Sequence, residues 1–77
     1  MIQEKKLAIF YMIEILKEYT DLNHPLTQKE IGEKLKSIYN VDLERKTIAA
    51  NLKMLEEDLE YDIINHPNGG YYLGERD

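Results

Sequence analysis

The spacing of apolar residues near the start of the chain predicts helix 1 over about residues 4–20. No Pro or Gly interrupts residues 4–19, and the residue types there favour a helix. Plotted at about 100° per residue, most apolar side chains fall on one broad face. That face contains Ala8, Ile9, Met12, Ile13, Ile15, Leu16 and Tyr19. We expect it to form the core.

A second apolar group, Leu7, Phe10 and Tyr11, projects from the other side of helix 1, among charged residues. A monomer normally keeps polar side chains at such positions. This group therefore predicts either a self-complementary homodimer through helix 1 or docking to a further domain. The alternative is that Phe10 folds under the loop after helix 1 or packs on the C-terminal hairpin.

Helix 2 is predicted over about residues 27–39, after a turn at residues 21–26 that contains Pro25. Thr27 and Glu30 have the spacing of a capping box, in which each side chain bonds the backbone amide of the other residue. The apolar residues of this helix then follow at helical spacing. We expect one narrow buried face made of Ile31, Leu35 and Ile38.

Residues 40–43 are a short connection, and helix 3 is predicted over about residues 44–59. Its expected buried stripe is Ile48, Leu52, Leu55 and Leu59. The side chains expected to point largely outward include all three basic residues of this helix. The outward residues are Arg45, Lys46, Ala49, Ala50 and Lys53.

The C-terminal part, about residues 61–73, predicts a β-hairpin. Residues 61–65 and 70–73 are rich in aromatic and β-branched side chains. Between them, Asn68-Gly69 is a strong signal for a type I′ turn, which needs positive φ at both central residues. The sequence therefore predicts a mainly α fold with a C-terminal β-hairpin. Three helices followed by a hairpin, with helices 2 and 3 joined by a short turn, form the winged helix-turn-helix layout.

The length of 77 residues accommodates one domain, residues 1–77. The chain has no Cys, and His24 and His66 are isolated, so we expect no metal site and no cofactor. No nucleophile-base pair or phosphate loop is apparent, so we expect no enzymatic activity. The longest apolar stretch is far shorter than the roughly 18 residues of a membrane span. We expect a cytoplasmic location without a membrane partner.

The charges are unevenly distributed. The net charge is −5, which by itself disfavours a polyanionic partner. Residues 27–54, however, carry six basic against four acidic side chains, a net charge of +2, whereas residues 55–62 carry five acids and no base. The middle of the chain is therefore basic and its flank acidic.

The order and spacing of several segments resemble the N-terminal DNA-binding domain of WYL-domain transcriptional regulators, which are related to DeoR-type winged helices. The matching segments are PLTQKEI at 25–31, ERKTI at 44–48, Asn51-Leu52, LEE at 55–57, YDI at 61–63 and GGYYL at 69–73. The resemblance implies a bacterial regulator that binds double-stranded DNA. It also implies that this module precedes a C-terminal effector-sensing domain in a longer parent chain.

A helix that enters the major groove needs basic or amide side chains on its exposed N-terminal half and small residues where it approaches the bases. Arg45 can pair with guanine, Lys46 and Lys53 with phosphates, and Ala49 or Ala50 with a thymine methyl group. The amides of Thr27 and Gln28 suit a phosphate. The candidate DNA-binding residues are Thr27, Gln28, Lys29, Arg45, Lys46, Thr47, Ala49, Ala50, Lys53, Asn65, His66, Asn68 and Gly69.

Each of these residues also has a plainer interpretation. The basic residues of helix 3 can be an ordinary solvated face, Ala49 and Ala50 simple helix formers, and the histidines loop residues. The net acidity and the pair Ala49-Ala50 favour an alternative function: a winged helix that binds a protein partner, or a second copy of itself, and not DNA.

Overall fold

The computed structural model describes residues 7–74 and contains three helices followed by a two-stranded antiparallel hairpin. The elements are α1 (Ala8–Tyr19), α2 (Gln28–Tyr39), α3 (Arg45–Glu57), β1 (Ile63–Asn65) and β2 (Tyr71–Leu73). The predicted fold class, a mainly α winged helix arrangement, is therefore confirmed. The predicted helical residues 4–6 lie outside the described part of the chain. Within residues 7–74, no helix has the length and apolarity needed to cross a membrane.

The predicted core face of α1 is confirmed, except at its last residue. Ala8, Met12 and Leu16 are fully buried, and Met12 and Leu16 belong to one apolar cluster with the buried residues of α2 and α3. Tyr19 was expected in the core, but 43% of its surface is exposed. Its ring lies instead under the Lys34 ammonium group, with the Nζ atom 4.2 Å from the ring centroid. Such a contact between a cation and an aromatic face is favourable at the surface.

Tyr11 also lies elsewhere than predicted. It was grouped with exposed Leu7 and Phe10, but it is half-buried and stacks on Tyr39 of α2, with ring centroids 4.3 Å apart and an interplanar angle of 6°. Leu7 and Phe10 are exposed as predicted, Phe10 at 60%. The ring of Tyr11 is therefore partly covered by α2, and the exposed apolar group on α1 is smaller than expected.

The capping box that begins α2 is confirmed. The Glu30 amide donates to Thr27 Oγ1 over 3.1 Å, and the Thr27 amide donates to Glu30 Oε1 over 2.8 Å. The buried face contains Ile31 and Leu35 as predicted. The prediction that Ile38 is buried is wrong, because 45% of its surface is exposed. At the end of α2, Asn40 takes the left-handed conformation and turns the chain toward α3.

The end of α3 differs from the prediction. The helix stops at Glu57, and Leu59, expected in the buried stripe, is 49% exposed. Glu60 adopts a left-handed φ of 61°, so the chain reverses and the Tyr61 amide donates to the Leu55 carbonyl. This reversal carries Leu59 outward, because the side-chain periodicity of the helix no longer applies there.

The hairpin pairs Ile63 with Leu73 and Asn65 with Tyr71, but its turn is not type I′. The Gly69 amide donates to the His66 carbonyl over 2.8 Å, and Gly69 rather than Asn68 has a positive φ, of 101°. Pro67 accounts for the difference, because its fixed φ suits the second position of an ordinary turn followed by a left-handed glycine.

The segment before α2 was expected to be a turn throughout, but its end belongs to the sheet. Leu26 and Tyr71 exchange two backbone hydrogen bonds of 2.9 and 2.7 Å. The turn proper is limited to residues 21–24, where His24 Nδ1 lies 2.9 Å from Asp21 Oδ1. The hydrogen bond with His24 lowers the pKa of the Asp21 carboxyl group below its ordinary value.

Thr20 joins the end of α1 to the hairpin. Its hydroxyl group donates to the Leu16 carbonyl over 2.6 Å and accepts from the Leu73 amide over 3.1 Å. The same side chain therefore caps a helix and satisfies a strand amide. Both bonds are partly buried.

We expect Thr20→Val, which keeps the shape of the side chain, to lower the free energy of unfolding by about 1–3 kcal/mol, because the Leu73 amide loses its partner. Urea denaturation followed by circular dichroism measures this change. Thr47→Val, at an exposed position of α3, is the matched control and should change the free energy by no more than about 0.5 kcal/mol. Equal losses in the two variants would contradict the assigned role of Thr20.

Candidate nucleic-acid interface

Three basic side chains, Arg45, Lys46 and Lys53, belong to α3. All three are exposed: Lys46 and Lys53 lie on the side away from the buried residues Ile48 and Leu52, whereas Arg45 is the first residue of the helix. Within residues 7–74, the ion pair that the structure contains is His24–Asp21, so none of these three side chains is neutralised by a carboxylate. Within the same residues the lysines of α1 and α2 also have no carboxylate partner, so this feature is not specific to α3.

Small residues separate these bases along the helix. Ala50 is exposed, whereas Ala49, expected to point outward, is half-buried at the edge of the face. Thr47 is exposed on the flank of the same helix, beside the 42–44 connection. The exposed surface of α3 therefore has long cations beside the small side chain of Ala50, with the exposed side chain of Met54 one turn further along the helix.

The N-terminus of α2 offers fewer donors than predicted. The Thr27 amide is occupied by Glu30, and the Glu30 carboxylate places a negative charge where a phosphate was expected to bind. Thr27 is therefore unsuited as a backbone phosphate contact while the capping box is intact. Lys29 is exposed on the first turn, and the Gln28 side chain is engaged elsewhere.

Gln28 is bonded to the hairpin. Its Nε2 atom donates to the Tyr71 hydroxyl over 2.9 Å, in a partly buried position. These residues are 43 positions apart, so no local pattern in the sequence indicated the pairing. Glutamine and tyrosine together hold the start of α2 against β2, next to the backbone pairing of Leu26 with Tyr71.

The hairpin loop presents Asn65, Asn68 and Gly69 to solvent, as predicted. His66 differs, because it is half-buried and has structural contacts. Its Nδ1 atom accepts from the Asn68 amide over 3.1 Å, and its ring meets the edge of Tyr72 with centroids 6.1 Å apart. His66 thus shapes the loop, and the exposed amide groups of Asn65 and Asn68 are the polar side chains it offers to a partner.

The two ends of α3 have opposite charge. Arg45 and Lys46 occupy the first turn and Lys53 lies past the middle, whereas Glu56, Glu57 and Asp58 are all exposed at the C-terminal end. The helix dipole has the same direction, positive at the N-terminus and negative at the C-terminus. Side chains and backbone therefore act together, and an anion is attracted to the first turns of α3 and repelled from the last.

Comparisons of the chain with protein-family models, with curated proteins and with solved structures gave no match. In the described part of the chain, no group of three or more His, Asp or Glu side chains is arranged to hold a metal ion. The interpretation of the α3 surface therefore depends on its own geometry and charge.

We expect Tyr71→Phe to lower the free energy of unfolding by about 0.5–1.5 kcal/mol, because it removes the acceptor for Gln28. Amide NMR spectra should also show the side-chain resonances of Gln28 shifted. Tyr72→Phe, on the adjacent residue, removes a hydroxyl group that has no hydrogen bond within residues 7–74 and serves as the control. A Gln28 resonance that is unchanged in Tyr71→Phe would contradict the pairing.

Proposed function

We propose that this chain binds double-stranded DNA through the exposed face of α3, as the DNA-reading module of a transcriptional regulator and without catalysis. The observation that carries the proposal is the set of exposed bases on one helix: Lys46 and Lys53 on the outer face of α3, and Arg45 on its first turn. Basic side chains gathered on one exposed helix attract a polyanion, and they are the electrostatic feature expected of a nucleic-acid-binding surface.

The winged helix arrangement supports the same conclusion. In helix-turn-helix domains the second helix of the motif enters the major groove, and here that helix is α3. Arg45 near its start is long enough to pair with guanine O6 and N7, while Lys46 and Lys53 suit phosphates on either side. Ala50 offers a methyl group to thymine at the point where the helix backbone comes nearest to the bases.

The hairpin supplies the second contact in this proposal. Asn65 and Asn68 extend from the loop, and neutral amide groups suit a minor groove or a phosphate. Lys29, on the first turn of α2, adds a phosphate contact through its side chain. The backbone amide of Thr27 takes no part, because Glu30 occupies it.

The resemblance to the N-terminal domain of WYL-domain regulators agrees with this assignment. The residues that carry the resemblance, ERKTI at 44–48 and GGYYL at 69–73, include the bases at the start of α3 and strand β2. We therefore include in the proposal a role in bacterial gene regulation, with a C-terminal effector-sensing domain in a longer parent chain.

The test is a titration of the 77-residue chain with mixed-sequence duplex DNA at several salt concentrations, followed by amide NMR and fluorescence anisotropy. Affinity should fall as salt rises, by about 0.9 in log K per log unit of salt for each phosphate contacted. Lys53→Gln should reduce that slope by about 0.9, and Arg45→Gln should weaken binding by about tenfold. Amide shifts should be concentrated at residues 44–53 and 65–69.

The matched control is Lys34→Gln, which removes the same charge from a side chain that lies over Tyr19 of α1 and not on α3. Its effect on the salt slope should be small, since its contact is with the protein itself. Binding that is absent at low salt, or equally reduced by Lys34→Gln and Lys53→Gln, would overturn the proposal. It would favour instead a winged helix that binds a protein partner.

A further inference from the structure

One histidine holds the loop of the hairpin at two points. The His66 carbonyl accepts from the Gly69 amide over 2.8 Å, and Nδ1 of the same residue accepts from the Asn68 amide over 3.1 Å. The edge contact with Tyr72 keeps the ring in this position. Tyr72 is the diagonal neighbour of His66 on one face of the hairpin, because it pairs with Ile64. The side-chain bond is therefore part of the folded shape of the loop, in addition to the ordinary turn bond.

The bond to Asn68 requires the neutral state of the His66 ring. A backbone amide can only donate, so Nδ1 is the acceptor and the single proton of the ring is on Nε2. In the charged imidazolium both ring nitrogens are donors, and Nδ1 would meet the Asn68 N–H with a hydrogen of its own. Protonation therefore breaks this bond, whereas the bond from the Gly69 amide does not involve the ring.

The surroundings of His66 along the hairpin are uncharged. Residues 63–74 contain no Asp, Glu, Lys or Arg. Tyr72 is the titratable side chain in contact with the ring, and the segment that packs beside the loop, Pro25-Leu26 against Gly70, has no charged side chain. Histidine is the residue type that changes charge between about pH 5 and 8. A proton on His66 would therefore add the one positive charge of this segment.

We propose that His66 is a proton-dependent switch of the hairpin loop. The neutral ring holds the Asn68 amide and keeps the loop closed. The protonated ring releases that amide and gives the loop a positive charge. The consequence for DNA rests on the proposed function: a phosphate beside the loop binds the protonated form more tightly, so affinity rises as pH falls.

Hydrogen exchange in the free 77-residue chain tests the switch without DNA. Protection of the Asn68 amide, relative to its intrinsic exchange rate at each pH, should fall by about threefold to tenfold as the ring becomes protonated, because one hydrogen bond is lost. The fall should follow the titration of the His66 ring in NMR spectra of the same sample. The Gly69 amide is the internal reference, since its acceptor is a carbonyl group that does not titrate.

The variant His66→Asn separates the hydrogen bond from the titration. An asparagine side chain accepts from the amide two residues later, as in an Asx turn, and it gains no proton. This variant should keep the Asn68 amide protected at every pH, whereas His66→Ala should leave it unprotected throughout. His24→Asn is the matched control, because His24 lies outside the hairpin beside Asp21. It should leave the pH response of Asn68 unchanged.

The consequence for DNA is measured separately. Between about pH 8 and about pH 5 the salt slope of log K for duplex DNA should steepen by about 0.9 more in His24→Asn than in His66→Asn. Constant protection of Asn68 across the ring titration, or an equal fall in His66→Asn, would overturn the switch. A working switch with equal slopes in the two variants would overturn its link to DNA. A working switch without any DNA binding would overturn the proposed function and leave the switch supported.

Discussion

The two backbone hydrogen bonds between Leu26 and Tyr71 determine how the hairpin lies relative to the helices. They join the residue just before the α2 cap to a strand 45 positions later in the chain. The approach is close, because a Cβ atom on neighbouring Gly70 would lie 2.7 Å from Pro25 Cβ and 3.1 Å from the Leu26 nitrogen. Gly70 is therefore required by space and not by its backbone angles, and the Thr20 and Gln28 bonds reinforce the same junction.

Much of this fold was predictable because its signals are local. The capping box at Thr27 and Glu30, the core face around Met12 and Leu16, and the existence of the hairpin each depend on residues close together in the chain. The errors at Tyr11, Ile38 and Leu59 have a different origin. Each error concerns whether a neighbouring element covers a side chain on the helix surface. The periodicity of apolar residues within one helix does not predict that.

The candidate interface was predictable to a similar degree. Arg45, Lys46 and Lys53 are exposed on α3, as helical periodicity indicated. Their lack of carboxylate partners could not be deduced, since it depends on where the acids of other elements lie. The capping box itself predicts that the Thr27 amide is occupied. The motif that starts the helix uses the same N–H donor that a phosphate would need.

The charge pattern of α3 explains how an acidic chain can bind an anion in this proposal. A net charge of −5 repels a polyanion at long range, but that repulsion is screened within about 10 Å at moderate salt. At contact distance the local field dominates, and Arg45 and Lys46 add to the positive end of the α3 dipole. The acids of its last turn cost helix stability at the negative end of the dipole. In return they restrict an anion to the opposite end of the helix, so approach along the N-terminal turns is favoured over any other orientation.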